Sequence, residues 1–390
     1  MTHAEAVAYV EGLDLLGMRF GLHRMHALLR ELGDPHRHHP CVHVVGTNGK
    51  TSTTRFIHAL LRAHGLRTGA YTSPHVTDWS ERVLVEGAPI APEAFAGAGP
   101  PVREAADAVT GADDPVTQFE VLTAAAFVAH ADAGLDAAVI EAGLGGRFDA
   151  TNVLDGGRVA VLTNVALEHT RLLGDTLHAI AGEKLAVVPD GGRQLVVGRL
   201  TDEARQAVTA VCRARDLDGW WLGRQFAVFG SAEQLTVRVD ELMMRDLRLG
   251  AGGGFQRDNA AVAVAAAHRF MTGGVREDRV RAALAATRVP GRMEVVPGSP
   301  TVVMDGAHNP AGMRALMESL PEGVRPVAVL SLLDDKDEVA VLGRLAQGCA
   351  HVVATRSAHR RATAPYARWP TRSAGPASLH RGARGRRRAG

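Results

Sequence analysis

The chain has 390 residues, 46% of them hydrophobic and 22% charged, with 44 basic against 42 acidic side chains and a formal net charge of +2. This suits a globular protein that buries a core in two domains or three, and it excludes a global field that would recruit nucleic acid or a membrane surface. No apolar run is long enough to span a bilayer, Cys41, Cys212 and Cys349 form neither a disulfide framework nor a paired metal motif, and the acidic start (Glu5, Glu11, Asp14) is no signal peptide, so a cytoplasmic protein is expected.

"CVHVV" (41–45) is a β-branched run that stops at Gly46, and Phe56, Ile57, Leu60 and Leu61 recur at helical spacing after it. Strand, glycine loop and helix follow one another here. "RTGAYTS" (67–73) reads as the next strand, 118–134 as a helix and "DAAVIEAG" (136–143) as a buried strand. "RVAVLTNV" (158–165) is another strand, 176–188 a helix, and "RQLVVG" a strand after it. Strands alternating with helices predict βαβ units and a mostly parallel sheet covered on both faces.

Between 226 and 250 the pattern changes to three short alternating strands, expected to be antiparallel. Two alanine-rich helices follow (255–271 and 275–287), then a "VPGR" turn and a fresh βα series: "TVVMDG" (301–306), helix 311–320, strand 324–330, helix 337–346 and "HVVAT" (351–355). The expected architecture is α/β: an N-terminal P-loop-type ATPase domain over 1–295 and a smaller Rossmann-like C-terminal domain over 296–362. The remaining 363–390 lack acidic residues and apolar periodicity, carry seven arginines, and by composition read as disordered.

The loop in "HVVGTNGKTSTT" (43–54) departs from the Walker A spelling, which requires a glycine where Val44 stands. Gly46 and Gly49 still permit a tight bend, and the loop opens a helix whose free N–H groups favour an anion. Lys50 is suited to β/γ-phosphates, and Thr51 or Ser52 to a phosphate-bound metal. The bland alternative is a plain βα turn with a capping hydroxyl. In "EAGLGGRFDATN" (141–152), Glu141 stands at a strand's carboxyl end, where open α/β sheets bind ligands, and beside a triphosphate it is a natural Mg²⁺ ligand. His169 in "TNVALEHT" and Ser73 in "TSPH" stand at further strand ends, so Ser73, Glu141 and His169 are expected to converge on one cation. Lys184 lies on the next helix, where a surface lysine is the alternative. Asn259 opens a helix, as a ligand contact or a cap. Arg292 in "PGRMEVV" suits fork-like phosphate contact, and Asp305 and His308 in "MDGAHNP" mark one more strand end.

Taken together, these motifs resemble the folylpolyglutamate synthase/dihydrofolate synthase family of the Mur ligase superfamily. The resemblance runs in the family's order over residues 14 to 360, and "TSPH", "GLGGRFDATN" and "DGAHNP" are its most specific parts. It implies that Gly46, Thr47, Asn48, Gly49, Lys50, Thr51 and Ser52 form an ATP phosphate loop. It also implies that Ser73, Glu141 and His169 bind Mg²⁺, and that a carbamylated Lys184 helps hold a second metal ion. Asn259, Arg292 and Asp305 match ATP-binding positions, and His308 lies in the matching motif of the glutamate-side domain. Lys50, His169 and Lys184 are the expected catalytic residues. The implied reaction joins L-glutamate to dihydropteroate, to a reduced folate, or to both, through an acyl phosphate made with ATP. A monomer is expected, with no nucleic-acid or membrane partner.

The family most often has glycine where this chain has Thr51, a residue nearer to the cell-wall Mur ligases. After Ala362 the resemblance dissolves into the arginine-rich tail, as a shifted frame or truncated gene would produce, leaving the C-terminal sheet incomplete. The rival functions are a Mur-type ligase acting on a cell-wall precursor, a P-loop GTPase or kinase, and an inactive binding protein.

Overall fold

The computed structural model describes residues 1–13, 21–111, 114–154, 159–357, 362–363 and 378–381. The chain divides into two units, one of Met1–Ala251 with Gln256–Pro290, the other of Gly252–Phe255 with the described residues from Gly291 on.

The first unit is built on one eight-stranded sheet. Its strands are β1 (Cys41–Val45), β2 (Thr68–Tyr71), β3 (Val83–Val85), β4 (Ala88–Pro89), β5 (Ala137–Glu141), β6 (Val159–Leu162), β7 (Leu195–Val197) and β8 (Gly219–Trp221). The spatial order is β4-β3-β2-β5-β1-β6-β7-β8. Neighbours from β2 to β8 are parallel, and β3 and β4 add an antiparallel edge. Every residue of β1, β2, β5, β6 and β7 is buried. That is why "CVHVV" and "AAVIE" read as continuous runs rather than alternating ones: both faces of a parallel sheet need apolar side chains.

Among the described residues ten α-helices accompany this sheet: α1 (His3–Gly12), α2 (His23–Glu31), α3 (Lys50–Ala63), α4 (Pro92–Val109), α5 (Gln118–Asp132), α6 (Thr170–Leu173), α7 (Leu177–Leu185), α8 (Asp202–Ala214), α9 (Gln256–Phe270) and α10 (Glu277–Ala286). Val42 and Val44 of β1 join a core with Phe56, Ile57, Leu60 and Leu61 of α3, the alanines of α9, and Val280 and Leu284 of α10. Small side chains along α9 let it lie close against α3. The opposite face carries two further cores, one with α1, α2, α4 and α5, the other with α7 and α8. Strands β9 (Phe226–Gly230), β10 (Leu235–Val239) and β11 (Leu242–Leu247) form the expected antiparallel sheet and bury Phe226, Val237 and Leu247 in the α9 core.

The second unit holds β12 (Glu294–Val296), β13 (Val302–Met304), α11 (Pro310–Glu318), β14 (Val327–Leu330), β15 (Leu332–Leu333), α12 (Glu338–Gly348), β16 (His351–Ala354), β17 (Ala362–Thr363) and β18 (Ser378–Arg381). The expected βα series is altered at its head. β13 pairs antiparallel with β12, Glu294 opposite Met304, because only residues 297–301 separate them and so short a link makes a hairpin. β14, β16 and β18 form a parallel three-stranded sheet, and β15 pairs antiparallel with β17. Met313 of α11 and Val341, Leu342 and Leu345 of α12 cover one face of that sheet, over Leu330 and Val352. Of the tail read as disordered, Ser378–Arg381 is a strand beside β16, and apart from Thr363 the rest of that expectation lies outside the described residues.

Candidate active site

The loop after β1 is fixed from two sides. Gly46 has φ +151°, and a Cβ there would collide with the Thr163 hydroxyl just past β6. From the same segment, Asn164 accepts the Thr47 N–H on its carbonyl at 3.1 Å and the Asn48 N–H on Oδ1 at 2.9 Å, while Thr163 Oγ1 donates to the Asn48 carbonyl at 2.6 Å. Gly49, at φ +81°, caps α3 in the left-handed region that glycine tolerates. A Cβ at Gly49 would run into Asn259 Oδ1, so the residue expected to contact nucleotide stands against the loop. Asn259 also donates to Gln256 Oε1 at 2.9 Å.

Two lysines converge on one carbonyl. Lys50 Nζ donates to the Gly46 carbonyl at 3.1 Å and to the Thr47 carbonyl at 3.3 Å, and Lys184 Nζ donates to the Gly46 carbonyl at 3.0 Å. Lys184 is 4% exposed, not the surface lysine of the alternative. Burial, and then repulsion from Lys50, lower its pKa to about 7, against the attraction of Glu168 and Asp149. It is held there because the glycine turn after β5 presses on α7: a Cβ at Gly146 would meet the carbonyls of Glu183 and Lys184 at 2.6 and 2.7 Å.

Glu141 ends β5 at 1% exposure. Its Oε1 accepts from Thr51 Oγ1 at 2.9 Å and its Oε2 from the Ser73 N–H at 3.2 Å. The first turn of α3, the end of β2 and the end of β5 thus meet on one carboxylate. His169 stands on the loop after β6 at the N-cap of α6, in the left-handed region (φ +51°), its Nε2 3.8 Å from Glu168 Oε1. Among the described residues no group of three or more His, Cys, Asp and Glu side chains has the spacing to hold a metal.

Arg292, Asp305 and His308 belong to the second unit and cluster there. Asp305 accepts from the N–H groups of Met293 (2.7 Å) and Ala307 (2.8 Å), and the Gly306 N–H donates to the Gly291 carbonyl at 2.9 Å. Arg292 Nη1 donates to the Gly291 carbonyl at 3.0 Å and fills the space a Cβ on Gly306 would take. His308 Nδ1 lies 2.7 Å from the Gly306 carbonyl.

Two residues escaped the sequence analysis. Asp149, 5% exposed, accepts from the Leu144 N–H (2.7 Å) and the Thr151 N–H (3.0 Å), which shapes the glycine turn, and burial pushes its carboxyl up. Its signal was the Asp-x-Thr spelling, which favours a side-chain-to-backbone turn. Arg82 lies 4.6 Å over the Trp79 ring and donates to His75 Nδ1 at 3.0 Å, and burial lowers its pKa against the attraction of Tyr71 and Glu141. Nothing local to it marked Arg82.

Comparison with known proteins gives two domain matches, a Mur ligase middle domain over residues 44–267 and a Mur ligase glutamate ligase domain over 291–378. The dihydrofolate synthase/folylpolyglutamate synthase of Mycobacterium tuberculosis is 39% identical over 369 residues, which is 87% of this chain and 75% of that protein. The crystal structure of M. tuberculosis folylpolyglutamate synthase complexed with ADP and AMPPCP superposes with a TM-score of 0.86 at 34% identity, covering 97% of this chain and 89% of that one. A folylpolyglutamate synthase complex with AMPPCP and folate gives 0.85 at 33% identity, covering 90% and 89%.

Proposed function

The chain belongs to the folylpolyglutamate synthase/dihydrofolate synthase family of the Mur ligases, and from that premise we propose that it is an ATP-dependent ligase joining L-glutamate to dihydropteroate, to a reduced or polyglutamylated folate, or to both. The observation that carries the mechanism is the convergence of Lys50 and the buried Lys184 on the Gly46 carbonyl, beside Glu141. The relatives' names favour folate substrates over a cell-wall precursor.

A carboxylate does not acylate an amine unaided, because oxide is too poor a leaving group. Transfer of the γ-phosphoryl of ATP to the substrate carboxylate makes an acyl phosphate and releases ADP. The glutamate amine attacks the acyl carbon, the C–O bond to phosphate breaks, and the amine gives up a proton, leaving an amide and inorganic phosphate. No side-chain nucleophile is needed. Lys50 leaves the Gly46 carbonyl for the β/γ-phosphates, and the first N–H groups of α3 point at the same anion. Asn259 steadies the loop at Gly49. Arg292, Asp305 and His308 are assigned to nucleotide and glutamate-side binding, Arg292 offsetting charge on the transferred phosphoryl group.

The residues fit a divalent cation: a buried carboxylate at a strand end, with the Ser73 and Thr51 residues in contact with it, and His169 on the loop after β6. Mg²⁺, when bound, would offset charge on the phosphate oxygens. Lys184 fits carbamylation, because an amine lowered to about 7 is substantially neutral near neutral pH and only the neutral amine adds CO₂. The carbamate would give a second cation an oxygen donor. We assign the enzyme to the cytoplasm as a monomer. Cys41, Cys212 and Cys349 are buried, far apart and odd in number, which supports a reducing compartment, and no described helix is long and apolar enough to cross a membrane.

ADP release with dihydropteroate or tetrahydrofolate, each with and without L-glutamate, tests this function. Release is expected to require L-glutamate and at least one pteridine substrate. Release at full rate without glutamate would mark a nucleotide hydrolase instead, and turnover with a uridine-nucleotide peptidoglycan precursor would restore the cell-wall alternative.

A further inference from the structure

We propose that Arg82 receives the substrate carboxylate that is to be activated, and holds one of its oxygens while the other takes the phosphoryl group. This deepens the function given above and rests on it. Arg82 stands at the ligand-binding edge of the large sheet. β2 runs parallel to β5 with Tyr71 beside Ile140, and the Arg82 carbonyl accepts the Thr72 N–H at 2.8 Å. Residue 82 therefore lies beside the carboxyl end of β2, on the edge where Glu141 and the glycine loop also stand.

The guanidinium is fixed but not neutralised. Its Nε donates to His75 Nδ1 at 3.0 Å, and its central carbon lies 4.6 Å over the Trp79 ring. These contacts commit one donor and one face, and leave the paired Nη groups as a fork that matches a carboxylate. The acids of its own loop are engaged elsewhere. Glu81 accepts the N–H groups of Val76, Thr77 and Asp78, each at 2.9 Å, and the Thr77 hydroxyl. Asp78 accepts the Ser80 N–H at 2.8 Å and the Ser80 hydroxyl at 2.6 Å, and lies 3.2 Å from His3 Nε2. The Tyr71 hydroxyl attracts Arg82, but burial pushes that phenol up to about 12, so it stays neutral. Glu141 attracts Arg82 as well, while its own oxygens accept from Thr51 and Ser73. Among the described residues Arg82 makes no ion pair.

A half-buried guanidinium held in place without a counterion is a site for an arriving anion. The reaction supplies one, because dihydropteroate or a folate brings a carboxylate to the γ-phosphoryl group. One carboxylate oxygen bonds to the γ-phosphorus as the bond from that phosphorus to the ADP oxygen breaks. The second oxygen, still on Arg82, becomes the acyl carbonyl. An N–H donor there draws electrons from the carbon that the glutamate amine attacks. Arginine keeps its charge throughout, so it acts by position and not by proton transfer.

Equilibrium dialysis in the presence of AMPPCP tests the assignment without turnover. The ligands are dihydropteroate and tetrahydrofolate, each beside an analogue in which hydrogen replaces the carboxylate to be activated. The unsubstituted protein is expected to favour the carboxylate form at least about thirtyfold in one of the two pairs. Arg82→Met is expected to cut that preference to within about threefold, with Arg82→Lys between the two, since an ammonium keeps the charge and loses the fork. A merely structural role would weaken both members of a pair alike and leave their ratio unchanged. Arg82→Gln carries the expectation of the methionine variant and replaces it should methionine disturb the loop. An undiminished preference in Arg82→Met or Arg82→Gln would overturn the assignment, as would an unsubstituted protein that binds both members of each pair alike. If the unsubstituted protein binds neither carboxylate ligand, the folate reading fails and this proposal falls with it. If it binds one with the expected preference and that preference survives in Arg82→Met, only the role of Arg82 fails.

Discussion

Strand β1 of the first unit and strand β14 of the second are both short, valine-rich runs in parallel pairing. Yet Val42, Val44 and Val45 are wholly buried, while Val327 and Val329 are 60% and 72% exposed. β1 lies mid-sheet between helices on both faces. In β14, Leu330 faces α11 and α12, and the two valines lie on the other side. The hairpin of β12 and β13 is bare as well, with Val295 and Val302 56% and 48% exposed. An apolar strand states which faces require cover; it does not supply the cover. The contrast extends to the candidate site. Glu141 is held by groups from two other elements of the first unit, the start of α3 and the end of β2, whereas Asp305 is held by backbone groups of two adjoining turns.

The sharpest test separates chemistry from architecture. Lys50→Ala should reduce ADP release at least about a thousandfold while leaving the melting midpoint unchanged, since in the proposed mechanism the amine acts on transferred charge. An active variant would remove the loop from the mechanism. Acid should next distinguish the units. Burial lowers His58 to about 4 and His130 to about 3, both in the first unit. As pH falls below about 6.5, the unfolded chain takes up these protons before the folded one does. Stability is therefore complete above pH 6.5 and declines by several kcal/mol toward pH 4 and then 3. A urea midpoint that stays flat from pH 7 to about 4 would contradict this.

Core truncation probes coverage itself. Leu342→Ala in the second unit and Leu60→Ala in the first should each cost about 3 kcal/mol. In a calorimetric scan, Leu342→Ala is expected to lower only an earlier transition, and a single transition shifted equally by both would make the units one cooperative block. The smallest effect belongs to the bare face. Val329→Thr should change stability by no more than about 0.5 kcal/mol. A loss above about 2 kcal/mol would show that this face is covered in solution.

Much of the first unit was legible because burial on both faces leaves a plain mark. β1, the glycine loop and α3 follow from "CVHVVGTNGK", and β5 from an unbroken apolar run. Helix α4 went unread, because Pro100 and Pro101 lie inside it and prolines normally end helices. β12 was hidden next to the Pro297–Pro300 turn that pairs it with β13. Within the site, the placement of Lys50, Glu141 and Asn259 at strand or helix ends was readable from motifs. The burial of Lys184 was not, since it depends on Gly146 pressing against α7 from a distant stretch of chain. Arg82 was invisible for the same reason: its importance comes from Trp79, His75 and Tyr71 in three dimensions, not from its own neighbours' pattern.

The shared grip of Lys50 and Lys184 on the Gly46 carbonyl bears on how cheaply the loop receives a ligand. A lysine swinging in solvent loses roughly 2 kcal/mol of rotamer freedom when it is immobilised. Lys50 is already anchored within its own loop, on the Gly46 and Thr47 carbonyls. On the proposed assignment of Lys50 to the phosphates, nucleotide arrival would be an exchange of acceptors, a neutral carbonyl for an anionic oxygen, with little new ordering. The entropy of arranging that side chain was settled when the protein folded, and the binding step inherits the benefit.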